Sequence, residues 1–432
     1  MKKMALLVCL CMVFSMLAAA AVADEQVTLR YMTLSNSLQW EAEQQMLDLF
    51  QKEYPNIKVE TTVISGVADF VTALTTKFAA NEAPDVFTFQ GGSRTFEYAA
   101  AGRLMDLKDQ AFMDRFNEKD LIQLAYHDGV YAMPMNVEMS GLFVNREALK
   151  EYGDIEIPNS YTELLEFFAK LQAAGCKYPL VCAGKDINNV AQVDFQYLST
   201  VLWFNNPDYY LELLQGKRAL NNDPDINDMF AKYGELKNYM NPDCLGVDND
   251  EAIKRFIRGD GVVWIAHGSN VATIRNMAGE DFDFVMVPSV LNTNAEDRVI
   301  NAGLALAMHV TSTTEHVDES LKLLEFYSRP EIAALYATVG KGCLALKGTD
   351  IVPDPAYAPM YEFMSAHPER RCGHADLIWI GGIKDVMKEV TQKWFLGDDL
   401  QSCLDYWQDQ HQMLLRNNPT FTDEFIAKYY AD

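Results

Sequence analysis

The sequence lacks the short motifs that mark most catalytic chains. It holds no His-Glu-x-x-His, no Gly-x-Ser-x-Gly and no Gly-x4-Gly-Lys-Ser/Thr. Those absences remove the recognisable zinc-protease, serine-hydrolase and nucleotide-phosphate sites. Positive charge is also scarce: 36 lysines and arginines stand against 61 aspartates and glutamates, a net charge of −25. Nucleic acid and anionic lipid each need a basic footprint, so neither is an expected partner. The acid excess is expected to keep the chain soluble. Past the first residues, no stretch reaches the roughly 18 consecutive apolar residues of a membrane span. Cysteines are few there: Cys176, Cys182, Cys244, Cys343, Cys372 and Cys403. Their spacing fits no zinc template, and a chain this large needs no disulfide framework. Cys176 and Cys182 are closest in sequence, but no pairing is assigned. The six are expected to serve as small buried hydrophobes.

What is present begins with "MKKMALLVCLCMVFSMLAAAAVADEQ": two lysines, an apolar run, then small residues. That order predicts a cleaved secretory leader over 1–23, with "AVA" before Asp24 as the cleavage signal. Cys9 and Cys11 sit inside the apolar run and not at the cleavage point, so no lipid anchor is expected. The mature protein is expected outside the cytoplasm, in a periplasm or the medium. Without Lys2 and Lys3 its charge is −27, from 34 basic and 61 acidic residues. The remaining length, about 410 residues, suits two or three domains.

From Val27 the periodicity alternates between strand and helix. "VTLRYMTL" and "IKVETTVIS" read as strands, "EAEQQMLDLFQKEYPN" and "ADFVTALTTKFAANEAP" as helices, and "DVFTFQGG" as a third strand. This predicts a parallel sheet covered by helices. Ligands collect at the carboxyl ends of such strands, which directs attention to "LSNSLQW" and "QGGSRTFE". A second α/β series follows "YAMPMNVEMSGLFVN", with "SYTELLEFFAKLQAAG" a helix behind a serine cap. "VVWIA", "FDFVMVPS" and "INAGLALAMHVT" read as further strands. Two α/β bodies joined by several chain passages predict two lobes around a cleft, a preferred place for a ligand.

The stretches "PDVFTFQGGSRTFEYAAAGRLMDL", "GVYAMPMNVEMSGLFVN", "EAIKRFIRGDGVVWIAHGS", "NAGLALAMHVTS" and "LKLLEFYSRPEIAALYATVGKG", in this order, resemble the bacterial extracellular solute-binding proteins of ABC importers. The likeness is to the sugar-binding class typified by maltose-binding protein and covers nearly the whole mature chain. It implies a two-lobed clamp crossed three times, near Met133–Glu138, Val299–Gly303 and Ala345–Val352. The N-lobe is then 24–134 plus 303–345 and the C-lobe 135–302 plus 346–432. It also implies a carbohydrate ligand, a membrane permease as partner, no cofactor or metal, no catalysis, and a monomer.

Sugars present hydroxyl edges and an apolar face, so polar acceptors and flat rings are the candidate contacts. Glu138 matches the position at which the family presents a carboxylate to sugar hydroxyls; the alternative is an ion pair at a hinge. Asn136 lies in the same segment. Gln90, Ser93 and Arg94 follow the third strand, with Glu97 a competing partner for Arg94. Trp40 closes the first polar loop and either lines the cleft or enters the core. Phe195 and Tyr197 resemble the family's aromatic stretch, with Trp203 further along. His267, Ser269 and Asn270 end the "VVWIA" strand, where hydrogen bonding is expected, and Trp379 resembles a stacking position. Two other functions stay open. A cationic solute such as a polyamine would use the acid excess. A glycosidase would pair Glu138 with Asp85, Glu97 or Asp376.

Overall fold

The computed structural model describes residues 26–418, apart from 36, 154, 350 and 376–378. The expected leader and Asp376 lie outside them. Strands β1 (Val27–Leu34), β2 (Ile57–Ile64) and β3 (Val86–Gln90) form the start of a first sheet, in which β1 pairs parallel with both neighbours. Parallel neighbours require crossovers, and the helices Ser37–Glu53 and Val67–Ala79 provide them. On the first helix Ala42, Met46 and Phe50 recur at helical spacing and are buried. A short hairpin, β4 (Ala125–Tyr126) with β5 (Gly129–Val130), precedes β6 (Met133–Pro134), which closes the first sheet.

After Met135 the chain enters the second sheet through β7 (Asn136–Asn145), its longest strand. The edge strand β8 (Leu180–Val181) pairs with β9 (Val263–His267). Antiparallel to β7 run β9, β10 (Phe284–Pro288) and β11 (Ile300–Leu304). β12 (Leu306–Val310) returns to the first sheet, between β3 and β6. β13 (Cys343–Leu344) lies on β7 again, and β14 (Arg371–Cys372) extends the far edge beside β11. Helices Ile383–Leu396 and Leu400–Asn417 pack together against the second body. The architecture is α/β and two-lobed.

The passages between lobes differ in detail from those read in the sequence. "INAGLALAMHV" is two strands in different sheets, with the switch at Ala305 and not at 299–303. Both strands are buried throughout, so hydropathy carries no mark of the break. Asn136 fixes it: its side-chain Oδ1 accepts the Leu306 N–H at 2.9 Å and its carbonyl accepts the Ala305 N–H at 3.1 Å. The third passage lies at 339–342 and not at 345–352. Helix Pro330–Thr338 still packs on the first lobe, whereas Cys343 already pairs with β7. Trp264 on β9 is fully buried, as core. Cys176, Cys182, Cys343, Cys372 and Cys403 are buried and Cys244 is half-buried; these six carry no disulfide.

Candidate functional site

The parallel strands of the first sheet end on one side, and there Ser35, Ser65 and Gln90 face the second lobe. Opposite them stand Glu138 on β7, His267 at the end of β9, Ser269, His374 and Lys384. These side chains, with Gln39 and Asn136, surround a cavity of about 270 Å³. It opens into a wider chamber of about 780 Å³ that shares Ser65, Val67, Gln90, His267 and Lys384. The wider part reaches Ser93, Arg94, Asn188 and Phe195. A cleft between the two lobes is therefore the principal concave feature of this face.

Glu138 occupies its floor. Its Oε1 accepts the Ser269 N–H at 2.7 Å, at the start of helix Asn270–Ala278, where the helix dipole favours negative charge. Burial nevertheless pushes the carboxyl up to about 7, against the lowering effect of the Ser269 and Gly268 N–H groups and the Lys384 ammonium. The turn that presents the Ser269 N–H is itself pinned. The Tyr357 hydroxyl donates to the Gly268 carbonyl at 2.6 Å, and a Cβ at Gly268 would meet that hydroxyl at 2.7 Å. Gly303, opposite Glu138 on β11, serves the same end. A Cβ there would lie 2.7 Å from the His374 backbone nitrogen and 2.8 Å from its ring Cδ2, so only glycine lets His374 approach. Nε2 of His374 then lies 3.1 Å from the Glu138 carbonyl oxygen. On the other side, the Ser140 hydroxyl and Nδ1 of His267 are 2.7 Å apart. The floor thus offers a carboxylate, two imidazoles, hydroxyls, amides and one ammonium, a set suited to a ligand rich in hydrogen-bonding groups.

A family model described as "Bacterial extracellular solute-binding protein" matches residues 36–334, well over half of the sequence. The chain belongs to this family. Among its curated relatives is the multiple sugar-binding protein of Streptococcus mutans, 21% identical over 336 residues, 76% of this chain and 78% of that protein. Another is the sn-glycerol-3-phosphate-binding periplasmic protein of Shigella flexneri, 24% identical over 303 residues, 66% of each chain. Among solved structures, a raffinose complex of the solute-binding protein RafE superposes with a TM-score of 0.76 at 21% identity, covering 90% of this chain and 100% of that one. The apo form of RafE, from Streptococcus pneumoniae, superposes similarly. At this identity the structural likeness speaks for the two-lobed fold.

Within the family fold, the residues read from sequence fall into two groups. Glu138, Asn136, Gln90, Ser93, Arg94, Phe195, His267 and Ser269 line the cleft. Arg94 is also paired with Glu97 at 3.2 Å. Phe195 is nearly buried; the Lys384 ammonium stands 4.7 Å from its ring centroid. The remaining aromatics pack elsewhere. Trp40 lies in the first turn of helix Ser37–Glu53 and not in a loop, and it rests against the core. Tyr197 is buried and donates to Asp228, and Trp203 packs on the second lobe's core. Trp379 is 3% exposed, its ring stacked on Tyr210 at 4.7 Å. Asn270 begins its helix and donates to the His267 carbonyl. Asp85 is buried, its carboxylate accepting from the Arg30 N–H and Thr314, which ties it to the sheet and away from Glu138. Sequence reading missed Gln39, Ser65, His374 and Lys384. Gln39 lay in a loop already singled out, and Ser65 ends β2, where the carboxyl-end rule points; His374 and Lys384 carried no local signal.

Proposed function

We propose that this chain is the extracytoplasmic solute-binding component of an ABC importer and that its solute is a carbohydrate, favouring an oligosaccharide. The carrying observation is the cleft itself, walled by both lobes and floored by Glu138. Hydroxyl groups of a sugar would donate to the carboxylate, and hydrogen bonds to a charged acceptor are roughly twice as strong as neutral ones. The wider chamber, at about 780 Å³, falls in the range of roughly 300–1,000 Å³ that holds small-molecule ligands and leaves room beyond the floor for further sugar units. The printed names of the Streptococcus mutans relative and of the RafE complex, sugar-binding and raffinose-bound, support the same reading.

A ligand that touches both lobes favours the closed form, whereas one held equally in open and closed states shifts nothing. Closure about Met135, Ala305 and 339–342 would then present a surface to permease subunits. Export by the leader over 1–23 would place the receptor in a periplasm or the medium. Arg94, Lys384 and Lys388 share the cleft walls with Asp69, Asp385 and Glu138, so the lining lacks the acidic excess that a polyamine would use. Lys384 and the glycerol-phosphate relative favour a second reading, a phosphorylated polyol. A thermal-shift screen followed by calorimetry separates them: neutral oligosaccharides are expected to bind with little salt dependence. Binding of sn-glycerol 3-phosphate alone would select the second reading, and sustained product formation from a glycan panel would overturn both.

A further inference from the structure

Two chain segments of the second lobe run side by side behind the cleft wall. Leu180 bridges Met240 in parallel, the Cys182 N–H donates to Asn241 Oδ1 at 2.7 Å, and the Gly184 N–H donates to the Cys244 carbonyl at 2.8 Å. A Cβ at Gly184 would lie 2.9 Å from that carbonyl, so the backbones can be this close only with glycine there. The arrangement brings together two cysteines far apart in sequence, Cys182 and Cys244, whose side chains lie close enough to influence each other's ionisation. Cys176, the neighbour of Cys182 in sequence, is buried in the second lobe's core beside Leu171 and Tyr152.

We propose that Cys182 and Cys244 are joined as a disulfide in the exported protein. The two thiols are chemically unequal in the way such a reaction needs. The neighbouring Cys182 thiol and the Lys237 ammonium hold the Cys244 thiol below its ordinary value, while Cys244 and burial push Cys182 above its own. Cys244 is also half-buried, whereas the other five described cysteines are buried. The Cys244 thiolate attacks a disulfide of an external oxidant, either a small-molecule disulfide or a thiol–disulfide oxidoreductase, and expels one thiolate. Cys182 then loses its proton and displaces the second thiol from the mixed disulfide. One S–S bond forms, two S–H bonds are lost, and the oxidant leaves as two thiols carrying the two electrons and two protons. The bond ties edge strand β8 to the turn before helix Asn249–Arg258 and braces the segment that leads to Asn188 and Phe195.

The proposal takes only its natural oxidant from the export reading, so the test uses purified, folded, reduced protein and oxidised glutathione. After quenching by alkylation and denaturation, peptide mapping should show the loss of two alkylatable thiols and a single linked pair containing Cys182 and Cys244. Cys244→Ser should abolish the linkage and leave Cys182 reduced. Unchanged thiols, arrest at a glutathione adduct on Cys244, a bond to any other cysteine, or a linkage that survives in Cys244→Ser would each overturn the proposal. Calorimetry with saccharides on the same oxidised sample reads the receptor function separately: absent binding would count against that function and leave the disulfide result standing.

Discussion

At the scale of single residues, the proposed receptor function rests most on Glu138. Its carboxylate accepts the Ser269 N–H at a helix start yet lies where burial disfavours its charge. Replacing it with Gln keeps the shape and removes the charged acceptor. Sugar affinity measured by calorimetry should fall several-fold, up to about tenfold or ~1.4 kcal/mol. Affinity should also strengthen as pH rises through about 7, where Glu138 ionises, and Glu138→Gln should lose that dependence. The variant is essential to this test because His267 and His374 flank the carboxylate and Lys384 faces it. Stability runs the opposite way. Burial raises Glu43 and Glu138 to about 7 and Asp194, bonded to Thr391, to about 8. Each binds its proton more tightly folded than unfolded, so stability is greatest below the unfolded values, near 4, and is lost as pH rises towards 7–8. The melting midpoint of ligand-free protein should therefore drop between pH 5 and pH 8, and Asp194→Asn should flatten part of the slope.

At the scale of elements, two contacts hold the cleft in shape. Asn136 joins the start of β7 to the break between β11 and β12. Asn136→Ala leaves the buried Leu306 N–H without that acceptor and should cost about 1–3 kcal/mol in denaturant unfolding. The Arg275 guanidinium forms two 2.8 Å bonds to the buried Asp354 carboxylate and anchors the helix that begins beside Glu138. Removing one member strands the other, so Arg275→Met should destabilise by about 3–5 kcal/mol. These elements were unequally legible in the sequence. Helix Tyr161–Ala173 was clear from its apolar spacing, and its Ser160 cap accepts from the Glu163 N–H as the cap motif requires. The β11–β12 break was hidden because an apolar strand reads the same whichever sheet receives it. Trp379 and Tyr197 misled because an aromatic suits a core as well as a sugar face; only the partners Tyr210 and Asp228 decide.

At the scale of the whole molecule, the alternation of strands and helices made the α/β class legible, since parallel neighbours need crossovers, and its interruption at "YAMPMNVEMSGLFVN" made two bodies legible. The cleft was legible only in part. Its first wall follows from the carboxyl ends of β1, β2 and β3, but its second gathers Glu138, His267, His374 and Lys384 from separate regions of the chain. No local pattern announces such a meeting. The chain as a whole is acidic, net −25, whereas the cleft balances Arg94, Lys384 and Lys388 against Asp69, Asp385 and Glu138, a lining without the acid excess that would favour a cation.

The account depends on a guest that holds both lobes at once. Small-angle scattering of the protein alone and with a saturating oligosaccharide drawn from those that raise its melting midpoint measures this directly. A smaller radius of gyration with the sugar is the predicted result. Curves that overlay with and without every such sugar would contradict the clamp.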